Sequence, residues 1–591
     1  MMAVNNNSFN LTTEPWIKVI EMQTNQERTV SLIDIFENAQ EYRQLAGEMR
    51  TQDLAIFRLL LAILTTVYSR FNADDKRYPW VNMDASSMSF KIDKGKFNRK
   101  SSRQQLLATW EKLYQSGHFS GAVIQYLKQY ESRFDFFGQR PFYQIVAKDY
   151  DVLVDDEKKK IATGNGQVAV QQINRRVSES ANSRAIFSPR SPDMKNKIQL
   201  DELIRWIISY QNFTGTTDKT AIKVDNQTSK LRAGGVYNLG GWLYGIRPVF
   251  AKGHSLFETL LLNLVLVTTQ NGSNKYNIQK PVWEYDSVLD YIKERKKRIR
   301  PDNLAELYTE WSRILCIQWD EDKQPSIFSA KIPIFEAANL FIEPMTTWKV
   351  SPKTSDYLPD RQKLSSLGIA MWRNFGQYVK IWQKDSQPEP GIVAWLRILK
   401  REKLISKDDA IVLNSISLIK DKTSASQLPV AEVVDDMQLQ VAVLFAEEDT
   451  TRRYWLVRIE DVIQMTQTIG KYYFHFIENI GRIRRVSNPK AFGNQMSGKF
   501  YEQLNEPFKK WLAGLTDQDD RDEKVNLWKR QLKEIVAEAT NDVMNTSTSK
   551  DIRGIMIDRK DKGKVVGKKE INIFTEKNQL MVSVNRRLKK E

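Results

Sequence analysis

Between Gln52 and Tyr68 apolar side chains recur at helical spacing, culminating in LLLAILTTV at 59–67. The pattern predicts a core helix. The run is also too short to span a bilayer, which takes about 20 residues. Helical spacing returns at Leu200–Tyr210 and at His254–Val267, and residues 96–128 mix it with many charges. Residues 9–20 read as an extended opening. Residues 331–345 and 411–420 read as short strands, and 151–177 as irregular. From Gly215 to Gly245 polar, basic and glycine residues predominate, which predicts a long loop; such loops in compact proteins are usually functional or disordered.

The texture changes near residue 450. Arg452–Ile483, Lys490–Leu515 and Arg521–Asn545 are long amphipathic patterns joined by short polar stretches, the signature of a helical bundle. Residues 549–591 are basic and poor in core residues, with INIF (571–574) and LMVSV (580–584) as possible strands. The pattern predicts an α+β chain. A mixed α/β domain spans 1–445, a C-terminal helical bundle 446–548, and a basic extension 549–591.

The 591 residues carry a formal charge of +17 with pI near 9.4, a surplus that concerns partners and not fold. Nucleic acid is the first candidate partner, and an acidic protein or membrane surface the second. The one cysteine, Cys316, sits in an apolar run and reads as a small buried hydrophobe. It allows no internal disulfide. The three histidines, His118, His254 and His475, lie far apart, so neither a Cys/His metal site nor a catalytic triad is nominated. His254 reads as a local helix-start residue and His475 as packed in the bundle. Asp435-Asp436 and Asp517–Asp522 are the carboxylate clusters a magnesium nuclease would use, but both read as solvated loops. No metal and no cofactor are expected. The opening residues lack a signal-peptide pattern, and with no spanning segment the chain is expected to be cytoplasmic.

One stretch stands apart: LRAGGVYNLGG, 231–241, with two glycine pairs behind Lys230 and Arg232. It is neither a P-loop nor a dinucleotide fingerprint. On its own it specifies a tight turn or a close approach of the backbone to something else.

An ordered set of segments resembles one family, the large subunit of the type I-E CRISPR surveillance complex (Cascade), called CasA. The set comprises FNLTTEPWIKVI (9–20), the aromatic SRFDFFGQRPFYQ (132–144), SRAIFSPRSPD (183–193), and LRAGGVYNLGG followed by AKGHSLFETLLLNLVL (251–266). A helical bundle then follows. The resemblance implies a protein that is not an enzyme. It implies partnership with other Cascade subunits and the guide RNA, recognition of a protospacer-adjacent motif (PAM) in double-stranded DNA mainly from the minor groove, duplex opening, and recruitment of a helicase–nuclease.

Carried onto this chain, the resemblance makes Ala233, Gly234 and Gly235 a glycine loop. The minor groove is roughly 6 Å wide and shows little but acceptors at A·T pairs, so bare backbone can enter where a guanine amine would intrude. Lys230 and Arg232 would contact phosphate. Lys331, in SAKIPIF, falls at the lysine finger. The wedge falls in DKTSASQ: Lys422 and Thr423 would hold the strand, Ser424 would be a further DNA contact, and Gln427 would enter the stack, which costs roughly a few kcal/mol per step. Phe187, Ser188, Pro189 and Arg190 would form a loop that docks into the complex. KERKKRIR (293–300) and RIRR (482–485) read as solvated helix faces or phosphate stripes, with Lys296, Lys297, Arg484 and Arg485 as the contacts. Some members of the family carry a Cys-rich insertion before the lysine finger, and the chain departs from these in a short 320–330 stretch without cysteine; it departs also in its basic tail. The alternatives are the large subunit of another type I system, an unrelated nucleic-acid enzyme, and a basic scaffold that never touches DNA.

Overall fold

A computed structural model of the chain describes residues 8–84, 89–163, 166–174, 176–177, 190–191, 194–215, 220–224, 227–228, 240–267, 276–298, 300–319, 324–332, 336–379, 388–420, 429–445, 454–561 and 564–589. The fold is α+β. Two units are present: one comprises 1–367, 386–404 and 413–435, the other 368–385, 405–412 and 436–591.

The first unit begins with the antiparallel strands β1 (Ile17–Glu21), β2 (Glu27–Val30) and β3 (Tyr42–Leu45), with β1 in the centre. The opening segment is anchored by Trp16, which is buried and donates its indole N–H to Leu11 O at 2.9 Å. Leu11 and Phe136 exchange backbone bonds with Phe134 and Phe9, so the first two family-like segments lie side by side. Helix α1 (Arg50–Tyr68) is buried from Thr51 to its last residue. Among the described residues it is the helix long and apolar enough to cross a membrane, and all of its apolar window lies inside this unit. Its first turn has no N-cap side chain, and Gln52 and Asp53 reach back to the Glu48 and Gly47 N–H groups instead.

Buried arginines tie distant segments to this core. Arg58, on α1, meets Glu343 at 2.7 Å with both side chains fully buried. Arg70 meets Glu284 at 2.7 Å, and Arg205 meets Glu48 at 2.6 Å. Arg205 lies on helix α2 (Leu200–Phe213), which packs against α1. Strand β4 (Val249–Lys252) leads to a helix over Leu256–Leu262, shorter than the expected 254–267. The Asn263 side chain bonds the Ala251 N–H and C=O and ends the helix there. After helix α3 (Val288–Lys297), β5 (Arg313–Trp319) and β6 (Pro325–Lys331) form a hairpin in which Arg313 faces Lys331. The strand thus ends where sequence reading expected one to start, and 336–345 hold none. Strands β7 (Ala410–Lys420) and β8 (Pro429–Gln440) share a sheet with β4, β7 being central.

The second unit is built on α4 (Trp455–Ile483), α5 (Pro489–Ala513) and α6 (Arg521–Asn545). Ile459, Val462, Ile463, Thr466, Ile469 and Tyr473 recur at three- and four-residue spacing on the buried face of α4. Asn488 caps α5 with Pro489 in its first turn, and Asp520 caps α6. The basic tail differs from expectation. It forms a ribbon of β9 (Ile555–Asp561) and β10 (Lys564–Ile571), then helix α7 (Ile573–Lys589), where two short strands were expected. Ile573, Leu580 and Val584 fall on one helical face, and α7 packs against α4 as a further bundle helix. Short β-prone runs thus yield to burial on a neighbouring helix.

A candidate nucleic-acid interface

Helix α2 ends at a knot of backbone bonds. The Gly241 N–H donates to Thr214 O at 2.9 Å, and the Leu243 N–H to Asn212 O at 3.0 Å. A Cβ on Gly241 would lie 2.3 Å from Asn212 O, and one on Gly240 would lie 3.0 Å from Thr214 O. The second glycine pair is therefore a structural close approach. Arg313 adds a bond from Nη2 to Gly215 O at 2.8 Å. The ends of the glycine-rich excursion thus meet at the foot of α2. Lys230, Arg232, Ala233, Gly234 and Gly235 lie outside the described residues.

Two other predicted elements root on the limbs of this excursion. On the outgoing limb, Thr220 O accepts the Lys331 N–H at 2.9 Å, and Lys223 Nζ pairs with Asp155 at 2.5 Å. Lys331 is half-buried at the end of β6. On the returning limb, Gly245 has φ +80°, and its N–H donates to Leu418 O at 3.2 Å. Lys420 Nζ sits 5.4 Å over the Tyr244 ring, and Arg361, exposed, donates from Nη1 to Tyr244 O at 3.2 Å. Lys420 is the last described residue before the wedge segment. Lys422, Thr423, Ser424 and Gln427 lie outside the described residues. Sequence reading missed Lys223, Tyr244 and Arg361; the Gly245-Ile-Arg-Pro run beside the glycine pairs was the available signal.

The remaining candidates lie elsewhere. Arg190 is the one described residue of the predicted docking loop at 187–190. It holds both Glu202 carboxylate oxygens, at 2.8 and 2.7 Å, and Lys197 O at 3.0 Å. Phe187, Ser188 and Pro189 are outside the described residues. The basic run at 293–300 is a solvated face only in part, with Lys293, Lys297 and Arg300 exposed. Arg295 is buried against Glu310 at 2.6 Å, and Arg298 pairs with Asp302 and Glu306 at 2.9 and 3.1 Å. Burial works against the Arg298 charge, but Glu306 and Asp302 outweigh it and hold the guanidinium more firmly protonated. Lys297 is exposed beside Glu294, and Lys296 occupies the same last turn of α3. In the bundle Arg484 pairs with Asp551 at 3.0 Å, while Arg485 is exposed.

His475 is exposed on α4 and not packed as expected. Solvent takes this ring because its neighbours Tyr473 and Phe476 hold the buried face. Cys316 is buried, and burial pushes its thiol up to about 12. The acidic clusters have structural work. Asp519 and Asp520 bond backbone N–H groups, Asp522 pairs with Arg458, and Asp436, on a strand and not in a loop, meets Lys509 at 2.6 Å. Among the described residues, no group of three or more His, Cys, Asp or Glu is arranged to hold a metal.

The fold is shared along its length with known structures. The chain is similar to Cse1 of Thermobifida fusca over 98% of both chains, with 21% identity and a TM-score of 0.72. It is similar to CasA (Cse1) of Thermus thermophilus over 98% of this chain and 99% of that one, at 15% identity and a TM-score of 0.63. A chain of a CRISPR RNA-guided surveillance complex matches over 98% and 99%, at 12% identity and a TM-score of 0.57. These define the class of fold. The sequence supplies the family: the model of CRISPR-associated protein Cse1 matches residues 10–539, and the chain belongs to that family. No curated protein matches the sequence.

Proposed function

We propose that this protein is the large, non-catalytic subunit of a type I-E guide-RNA surveillance complex, acting in the cytoplasm, and that it reads the PAM in double-stranded DNA. The carrying observation is that the glycine-rich excursion, Lys331 and the β7–β8 hairpin are rooted on the same backbone limbs beyond α2. Segments fixed at one base can enter one groove together. Ala233, Gly234 and Gly235 approach the minor-groove floor, Lys331 follows the edge, and the tip from Lys422 to Gln427 parts the strands. Lys230, Arg232, Lys223, Lys420 and Arg361 supply phosphate attraction, which makes binding fall steeply with salt. Guide pairing then reads the target, and the opened complex recruits the helicase–nuclease. Arg190 steadies the loop through which Phe187, Ser188 and Pro189 dock into neighbouring subunits. Lys296, Lys297, Arg484 and Arg485 lie apart from this base and assist more weakly.

The test is a gel-shift titration. The remaining type I-E subunits, loaded with a matched guide, receive a PAM-bearing duplex with this chain absent, present, or carrying Gly235→Asp. Wild type restores tight binding. The aspartate places a side chain and a negative charge against phosphate and weakens binding by about tenfold or more, the scale of one lost specific contact. Equal binding in all three lanes would return the glycines to a turn and the protein to a scaffold.

A further inference from the structure

The aromatic segment 132–144 has no part in the duplex reading, yet it walls a cavity of about 330 Å3 in the first unit. Arg133 and Arg140 line it, together with the aromatic rings of Phe142, Tyr143, Trp283 and Trp311. The rings are fixed against one another: Phe142 lies 4.7 Å from Tyr143 edge-on, Tyr143 5.8 Å from Trp311, and Phe142 6.3 Å from Trp283. Tyr143 has φ +54°, an uncommon conformation for a bulky side chain and one that gathers at functional sites. It is held there from both sides. The Gln144 amide donates to Phe136 O and Phe142 O, and the Ile145 N–H donates to Leu315 O at 2.8 Å.

The two arginines set the chemistry. Among the described residues, neither Arg133 nor Arg140 forms a salt bridge or a side-chain hydrogen bond, whereas the core arginines are paired. Burial, and after it the Arg140 charge, hold the Arg133 guanidinium below its ordinary proton affinity; Asp286 offsets them only in part. Two guanidiniums lining one cavity, each without a salt bridge among the described residues, favour an anion there. Asp149 and Asp286 also line the cavity and accept hydrogen bonds only, which a bare phosphate would not call for. A nucleotide meets all three demands. Its phosphate answers the arginines, its ring stacks on the aromatic wall, and its amino or imino N–H groups face the carboxylates. We infer that this cavity binds one unpaired nucleotide of a single-stranded nucleic acid.

None of the residues proposed to contact the PAM duplex lines this cavity, and its test uses single strands, so the inference stands or falls apart from the duplex reading. The probes are single-stranded octanucleotides of one sequence, as RNA and as DNA, each carrying one thio-substituted pyrimidine for photocrosslinking. They are titrated by fluorescence anisotropy against the full-length wild type, Arg140→Glu, Arg133→Gln and the charge-matched surface control Lys128→Glu. Arg140 is exposed, so its replacement leaves folding intact. Arg140→Glu weakens binding by about tenfold and Arg133→Gln by somewhat less, against less than about twofold for the control, since one lost phosphate contact and one added repulsion act together. Crosslinks fall within 133–153, 282–289 or at Trp311. Loss in the RNA arm alone points to a guide strand, in the DNA arm alone to a displaced strand, and in both to any single strand. Equal affinities for the arginine variants and the control, or crosslinks confined to other segments, would overturn the assignment. Gly235→Asp leaves these affinities unchanged.

Discussion

Arg58–Glu343 in the first unit and Arg484–Asp551 in the second are both arginine–carboxylate pairs, closed at 2.7 and 3.0 Å. They do different work. Arg58 and Glu343 are both fully buried and join positions 285 residues apart. Asp551 is buried, but Arg484 keeps 23% of its side chain in solvent, and Asp551 also takes the Thr548 N–H and hydroxyl. The first pair fastens remote segments inside a core. The second closes a turn after a helix whose own pattern already specifies it. The contrast recurs through the molecule, for the first unit depends on long-range polar contacts and the second on helical period.

The sharpest way to break this contrast is to remove one arginine from each pair. Arg58→Met strands the Glu343 carboxylate in the core, where among the described residues the Thr346 hydroxyl is its remaining hydrogen-bond partner. The expected loss is about 3–5 kcal/mol. Arg484→Met leaves Asp551 its Thr548 donors, for a loss of about 1–3 kcal/mol. Urea titrations followed by hydrogen exchange in each unit separate the two. Nε and Nη2 of Arg58 have no hydrogen-bond partner among the described residues, so the pair is itself incompletely satisfied. Arg58→Met combined with Glu343→Leu therefore regains most of the stability. Equal losses for the two single variants would mean that burial does not distinguish the pairs.

Glycines sharpen the comparison at smaller amplitude. Gly241 in the first unit meets the Asn212 carbonyl, so Gly241→Ala forces the foot of α2 apart at about 1–3 kcal/mol and loosens the base of the glycine excursion. Gly498, within α5, has open space where its Cβ would stand. Gly498→Ala is expected to stabilise by about 0.5–1 kcal/mol. Thermal unfolding of the two variants reads both signs. A stabilised Gly241→Ala would show that the close approach is not needed.

The same division decides what was legible beforehand. The bundle helices 455–483, 489–513 and 521–545 announce themselves through periodic apolar positions and through Asn488, Pro489 and Asp520 at their starts. Helix α1 was legible from its apolar run at helical spacing. The tail helix was not, because Ile573, Leu580 and Val584 make a face only once α4 is there to receive it. In KERKKRIR nothing in the sequence distinguishes Arg295 and Arg298, which find Glu310 and Glu306, from Lys297, which stays in solvent. At the candidate interface the glycines and Lys331 were visible as residues, and their common base was not. It depends on Thr220, Tyr244 and Leu418, which carry no chemical signature.

Protonation offers the finest test, because one carboxylate in each unit is shifted in the opposite direction. Burial pushes Asp53, at the start of α1, up to about 7, and the Gly47 N–H and Arg50 pull it back only in part. Its favourable contribution is complete below the usual carboxylate value and is lost as pH rises through about 7. Burial also pushes Asp551 upward, but its bonds to Arg484 and Thr548 outweigh that and hold it below the ordinary 3.8. Its contribution is complete above 3.8 and is lost as pH falls through the lower folded value. Between about pH 7.5 and pH 5, hydrogen exchange corrected for its intrinsic rate should therefore slow over residues 47–57 and stay constant over 546–554. Below about pH 3.5 the second segment should loosen while the first keeps its protection. Asp53→Asn, which imitates the protonated acid, should remove the dependence at 47–57 and leave 546–554 as it was. Protection over 47–57 that is flat or falls on acidification would mean that Arg50 and the Gly47 N–H, and not burial, decide the charge of Asp53.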